Sequence, residues 1–170
     1  MPRRTRTHGL ALTCVSVTRR TSQCPSASTA TGCVPGGQVY LLTAVTHHRE
    51  PFFGDWRIGR LLVRQLHQAQ LEGRASSLAW VVMPDHFHWL LALGTGSLSA
   101  LMRGIKSRSA RDINACLQRT GRVWQKGYHD RSLRREENLL GVSRYIVANP
   151  IRAGLVTRVH DYPLWDAIWL

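Results

Sequence analysis

Two histidines one residue apart, His86 and His88, open the apolar run His86-Phe87-His88-Trp89-Leu90-Leu91. On a strand, residues two apart point to the same face. The two imidazoles therefore project together, while Phe87 turns toward the core. Paired imidazoles can hold one divalent metal. The same pattern also suits two polar residues on an exposed sheet face, and two ligands alone leave a metal site incomplete. Farther along, Tyr145 and Asn149 are four residues apart and share a helix face. Asn149 can give an amide oxygen to a hard cation, and Tyr145 would then stand beside the metal. The plainer alternatives are a core aromatic with its hydroxyl at the rim for Tyr145 and a helix C-cap before Pro150 for Asn149.

Positioning these residues falls to the elements around them. Val39-Tyr40-Leu41-Leu42-Thr43-Ala44-Val45-Thr46 is β-rich and reads as a strand. Ile58, Leu61, Leu62, Leu66 and Ala69 recur at helical spacing, with Asp55 as N-cap and Gly73 as stop. Leu78–Met83 and His86–Leu93 form a hairpin about the Pro84-Asp85 turn. A second helix spans roughly Leu98–Gln118, capped by Ser97 or Ser99. Val123–Leu133 reads as a further strand with an irregularity at Gly127. A third helix fits Glu136–Ala148 and stops at Asn149-Pro150, because the residue before proline avoids the helical region. The tail with Trp165 and Trp169 is too apolar to float free. The order β-α-β-β-α-β-α makes this an α+β chain, a ferredoxin-like βαββαβ unit with an antiparallel sheet and both helices on one face. The tyrosine helix follows that unit.

The chain has 170 residues and a formal net charge of +13, with a pI near 11.1. That length suits one domain with a proper core, and so basic a chain meets a polyanion, nucleic acid first. No stretch has the roughly 18 apolar residues a membrane helix needs. Between Arg103 and Arg135 there are ten basic and two acidic residues. Arg103, Lys106, Arg108 and Arg111 on the second helix suit phosphates of a folded DNA hairpin. Arg134, Arg135 and Arg144 flank the tyrosine helix and could guide a strand to it. Such charge runs are often only a solvated face. Trp80, Trp89 and Trp124 read as core rather than as platforms for bases.

Residues 1–37 differ in kind, with five arginines, no acid and many Ser, Thr, Gly and Pro. They read as a disordered basic arm ahead of a single domain over 38–170. A signal or transit peptide around Leu10–Val17 is an alternative. Cys14, Cys24, Cys33 and Cys116 make no C-x-x-C pair. They are expected to be free thiols in a reducing cytoplasm, with a disulfide among the first three as the alternative.

Two stretches together carry a family resemblance: Val81-Val82-Met83-Pro84-Asp85-His86-Phe87-His88-Trp89-Leu90-Leu91, and Tyr145-Ile146-Val147-Ala148-Asn149-Pro150-Ile151-Arg152-Ala153-Gly154-Leu155-Val156. With Trp124–Arg131 between them and Asp161-Tyr162-Pro163 after, they resemble the REP-associated tyrosine transposases. These are IS200-like members of the single-tyrosine HUH group. The resemblance covers roughly residues 38–166 and implies that His86, His88 and Asn149 hold Mg²⁺ or Mn²⁺ and that Tyr145 is the nucleophile. It further implies cleavage of single-stranded DNA through a 5′-phosphotyrosine link, at hairpins formed by palindromic repeats, by a monomer or homodimer in the bacterial cytoplasm. Neutral ligands would leave the metal its full charge for an anionic substrate, and a phenol of pKa near 10 needs such help at neutral pH. His129 and Asp130 are candidate proton acceptors, with a purely structural role as the plainer reading. A non-catalytic nucleic-acid-binding module of the same fold is the alternative.

Overall fold

The computed structural model describes residues 37–134 and 138–170. The basic arm expected over residues 1–37, its three cysteines and Arg135 lie outside the described residues, apart from Gly37. Nine elements organise the rest: β1 (Val39–Val45), α1 (Trp56–Leu71), β2 (Ala75–Met83), β3 (His86–Leu93), α2 (Leu98–Cys116), β4 (His129–Leu133), α3 (Leu139–Val147), the single turn α4 (Asn149–Arg152) and β5 (Trp165–Ala167). The strands form one antiparallel sheet in the order β4-β1-β3-β2-β5. The first four strands have the order expected of a ferredoxin-like unit. The apolar tail adds the fifth, with Val81 opposite Trp165 and Ala79 opposite Ala167.

Helix ends follow local chemistry. Asp55 Oδ1 accepts the Arg57 N–H at 2.8 Å at the start of α1. Ser97 Oγ accepts the Ala100 N–H at 3.2 Å, which settles the N-cap of α2 in favour of Ser97 over Ser99. Asn138 Oδ1 does the same for Gly141 N–H at 2.8 Å, so the described part of α3 starts at Leu139. Glu136 and Glu137, where the sequence pattern starts that helix, lie outside the described residues.

The sheet separates two apolar layers. Leu42, Ala44, Trp80, Val82, Phe87, Trp89 and Leu91 pack under Ile58, Leu62 and Leu66 of α1 and Leu101, Ile105 and Ile113 of α2. Leu78, Ala79, Val81, Met83, Leu90 and Ala92 meet Ile146 and Val147 of α3 on the other side. Leu78 and Ala79 are consecutive yet face the same layer, because the register shifts between Ser77 and Ala79. Trp80, Trp89 and Trp124 are buried, as expected. Phe87 is fully buried between the two histidines. Its replacement by alanine is expected to lower stability by about 3–5 kcal/mol, read from urea unfolding.

The stretch before β4 departs from expectation. Residues 123–128 form a loop joined to β1 by a single bridge from Trp124 to Thr46. The Lys106 ammonium reaches the carbonyls of Gln125 and Gly127, and Gly127 sits at φ 78°. Those carbonyls face the Lys106 ammonium, and the continuous ladder to β1 starts only at His129.

Candidate active site

Alternation on β3 decides which face the histidine pair occupies. Phe87, Trp89 and Leu91 face α1 and α2, so His86 and His88 continue the opposite row of Leu90 and Ala92. That is the face covered by α3. Met83 pairs with His86 and Val81 with His88 on the neighbouring strand. Both neighbours belong to the cluster that buries Ile146 and Val147. Tyr145 is next to Ile146 in α3 and is 57% exposed. The histidines and the tyrosine helix thus share one side of the sheet.

The imidazoles lie edge to face with ring centroids 4.9 Å apart. His86 Nδ1 is 2.6 Å from Asp85 Oδ1, and His88 Nδ1 is 2.8 Å from Thr43 Oγ1. The Asp85 carboxylate can only accept, so His86 donates Nδ1–H and keeps the lone pair of Nε2 for a cation; the Thr43 hydroxyl can donate or accept, and His88 offers Nε2 in the tautomer that donates to Thr43. Burial, with a smaller push from the neighbouring His86, lowers the His88 pKa from 6.5 to about 4. Its ring is neutral at pH 7, the state a metal ligand requires. Burial pushes the Asp85 carboxyl up, but hydrogen bonds from His86 and Arg49, with their charges, outweigh it and hold the group below the ordinary carboxylate range.

The His88 shift makes a stability prediction for metal-free protein. The unfolded chain binds this proton near pH 6.5 and the folded chain only near pH 4. Stability is therefore full above pH 6.5 and falls as pH drops from 6.5 to 4, by about 2–3 kcal/mol. Urea unfolding of wild type and His88→Gln at pH 7 and pH 4.5 measures it. Wild type should lose more stability on acidification than the variant.

Asn149 makes a local contact at the end of the tyrosine helix. Pro150 has no N–H to give the Ile146 carbonyl, its partner four residues earlier. The Asn149 side chain supplies that donor, with Nδ2 2.9 Å from Ile146 O. A carbonyl can only accept, so the amide orientation is fixed and Oδ1 is the atom left over. The residue both replaces the missing helical bond and presents an oxygen. Helix α3 ends at Val147, and Asn149 opens the extra turn α4, which continues the chain beyond the expected stop. His86 Nε2, His88 Nε2 and Asn149 Oδ1 are thus the atoms whose chemistry suits Mg²⁺ or Mn²⁺. Among the described residues, no group of three or more His, Cys, Asp or Glu could hold an ion.

The four tyrosines divide clearly. Tyr40 and Tyr128 pack against the α1/α2 layer. Tyr162 donates its hydroxyl to Val82 O at 2.7 Å, and burial pushes its pKa up to about 12. Tyr145 is the exposed one on the histidine side. The Arg152 guanidinium lies 4.2 Å from the centre of its ring, a cation–π contact that the sequence reading did not single out. The seven-residue spacing from Tyr145 to Arg152, two helical turns, was its only available signal.

The basic residues fall on two layers. Arg103, Lys106, Arg108 and Arg111 belong to α2, across the sheet from the histidines. Lys106 is half-buried on the carbonyls of the 123–128 loop, and burial lowers its pKa. Arg108 is half-buried 3.5 Å from Glu72, whereas Arg103 and Arg111 are exposed. Missed earlier on this layer was exposed Trp56, 47% accessible, with Arg57 and Arg60 at 5.8 and 5.6 Å from its ring. Arg144 is exposed beside Tyr145 on the histidine side, and Arg134 is exposed just after β4. His129 pairs with Thr43, which pairs with His88, so His129 lies in the histidine row. Asp130, one residue on, faces the other layer. The structure therefore separates the two candidate proton acceptors.

The family model described as Transposase IS200 like matches residues 37–149, from the residues before β1 through Asn149. The chain belongs to the IS200-like transposase family. A REP-associated tyrosine transposase of Escherichia coli (strain K12) is 32% identical over 87 residues. That match covers 50% of this chain and 50% of the relative, so this transposase-family chain aligns with about half of the relative's length. A solved REP-associated tyrosine transposase bound to a REP hairpin has the same fold, with a TM-score of 0.64, 22% identity and 82% of each chain covered. Among the described residues, no helix of this family member is long and apolar enough to cross a membrane.

Proposed function

We propose that this transposase-family chain cuts and rejoins single-stranded DNA at hairpins formed by palindromic repeats. Tyr145 is the nucleophile, and His86, His88 and Asn149 hold Mg²⁺ or Mn²⁺. The observation that supports this most is the exposed Tyr145 on the same sheet face as two adjacent histidines, each with its Nδ1 held by a neighbouring oxygen. The relative solved with a REP hairpin supports hairpin DNA as the substrate class.

In this reading the Tyr145 hydroxyl oxygen attacks a backbone phosphorus. The P–O3′ bond breaks, leaving a free 3′-hydroxyl and a 5′-phosphotyrosine. The bond energy is kept in that ester, so a 3′-hydroxyl can later attack it, release the tyrosine and rejoin strands without ATP. A divalent ion held by His86, His88 and Asn149 would supply positive charge to stabilise the transition state. Arg152 fixes the plane of the Tyr145 ring and adds positive charge beside the incoming phosphate. Of the two candidate acceptors for the tyrosine proton, His129 is the one on the histidine face of the sheet, on edge strand β4, whereas the tyrosine helix packs on β2 and β5.

Incubating the protein with labelled single-stranded hairpin DNA and Mn²⁺ tests the proposal. The expected result is a covalent protein–DNA adduct, together with a released fragment ending in a 3′-hydroxyl. Chelation with EDTA should abolish both. Hairpin binding without any adduct, with or without metal, would instead identify a non-catalytic binding module.

A further inference from the structure

We propose that Arg49 and Asp85 form a positioning relay that fixes how His86 presents Nε2 to a divalent cation, an inference that rests on reading His86 and His88 as metal ligands. Asp85 uses both carboxylate oxygens. Oδ1 accepts from His86 Nδ1 at 2.6 Å, and Oδ2 accepts from Arg49 Nη1 at 2.9 Å. The carboxylate therefore bridges a guanidinium on one loop to an imidazole on β3.

The backbone beneath it is held independently. Thr46, wholly buried, donates its N–H to Asp85 O at 2.8 Å and has its hydroxyl 2.9 Å from the same oxygen. Phe53 N–H donates to Pro84 O at 2.9 Å. Both carbonyls of the turn are tied down, and the Asp85 side chain is held by His86 on one oxygen and by the exposed Arg49 on the other. Delivering Arg49 requires an unusual backbone. His48 and Arg49 are consecutive non-glycine residues at φ 53° and 54°, a left-handed conformation that L-residues seldom adopt. Such backbone persists where its surroundings enforce it, and it concentrates at functional sites. Here it turns the chain back over the Pro84-Asp85 turn.

The relay has two chemical consequences. A carboxylate accepting Nδ1–H selects the tautomer with its lone pair on Nε2 and makes that nitrogen a better donor to metal. The guanidinium balances the carboxylate charge, so His86 gains an anionic partner without adding net negative charge where a phosphate must approach. His88 has the weaker version of the device, a neutral hydroxyl from Thr43. The two ligands are thus held unequally, and His86 carries the charged support.

Two readouts decide the matter: nitrogen NMR of the histidine tautomers in metal-free protein, and Mn²⁺ affinity by electron paramagnetic resonance. Wild type should show His86 protonated on Nδ1. Asp85→Ala should give mixed His86 tautomers and about 10- to 100-fold weaker Mn²⁺ binding. Asp85→Asn keeps an acceptor and should recover the tautomer, and Arg49→Ala should weaken Mn²⁺ binding less than Asp85→Ala does. An Asp85 that serves only the fold would lower the melting temperature with tautomer and affinity unmoved, and that result overturns the relay. Wild type that binds no Mn²⁺ overturns the metal reading itself, so the two failures are distinct.

Discussion

Tyr145→Phe is expected to form no covalent adduct with hairpin DNA under conditions where wild type does. Deleting a covalent nucleophile costs on the order of 10⁶ in turnover, which places the variant below detection in a gel assay. The rest of the protein should not notice the change. Tyr145 is 57% exposed, and surface substitutions of this kind stay within about 0.5 kcal/mol in stability. Its ring remains available to Arg152, because a cation–π contact needs the ring and not the hydroxyl. Hairpin affinity should therefore change less than twofold while the adduct disappears. Adduct formation by the phenylalanine variant at the wild-type level would transfer the nucleophile role to another residue. None of the other three tyrosines is an obvious replacement, since Tyr40 and Tyr128 face the opposite layer and Tyr162 gives its hydroxyl to Val82.

The parts of this architecture visible in the sequence are those whose signals are local. Ile58, Leu62 and Leu66 mark α1 by period, and Asp55 marks its start by a side chain two residues from the N–H it caps. The strand β3 is legible to the residue because the Pro84-Asp85 turn and Gly94 bound it. The strand β5 was not legible. Three residues, Trp165-Asp166-Ala167, are too few to show alternation, and they form a strand only because the β2 edge lies open beside them. The early start expected for β4 failed for a nonlocal reason, the capture of the Gln125 and Gly127 carbonyls by Lys106 from α2.

The candidate site divides along the same line. His86 and His88 show their shared face by a two-residue period, and Tyr145 and Asn149 their proximity by a four-residue one. The residues that hold the ligands in place come from elsewhere in the chain. Thr43 reaches His88 through the register of β1 on β3, 45 positions apart in sequence, and Arg49 reaches Asp85 through two left-handed residues. No periodicity encodes either contact. The layer assignment was equally hidden: α2 presents a basic helix in sequence, but only the sheet shows that it lies across from the histidines.

The second large effect is expected from the ligands. Replacing either His86 or His88 with alanine should abolish metal-dependent cleavage, whereas Asn149→Ala should only weaken it. Charge stabilisation by a bound metal contributes several kcal/mol to a transition state, and each 1.36 kcal/mol is a factor of ten, so losing the ion predicts a fall on the order of 10³ or more. Each histidine gives its one available nitrogen, held from behind by Asp85 or Thr43, and water cannot reproduce that held geometry. Asn149 offers a neutral oxygen, for which a water molecule is a fair substitute in a hard-cation site. Its replacement also leaves the Ile146 carbonyl without the Nδ2 donor, so a modest stability loss of about 1 kcal/mol should accompany the kinetic one. Cleavage rates across a Mn²⁺ titration separate these effects. The Asn149→Ala defect should shrink as Mn²⁺ rises, and the histidine defects should persist. Equal rescue of all three variants by excess metal would remove the distinction between the pair and the third ligand, and unchanged cleavage by Asn149→Ala would remove Asn149 from the site.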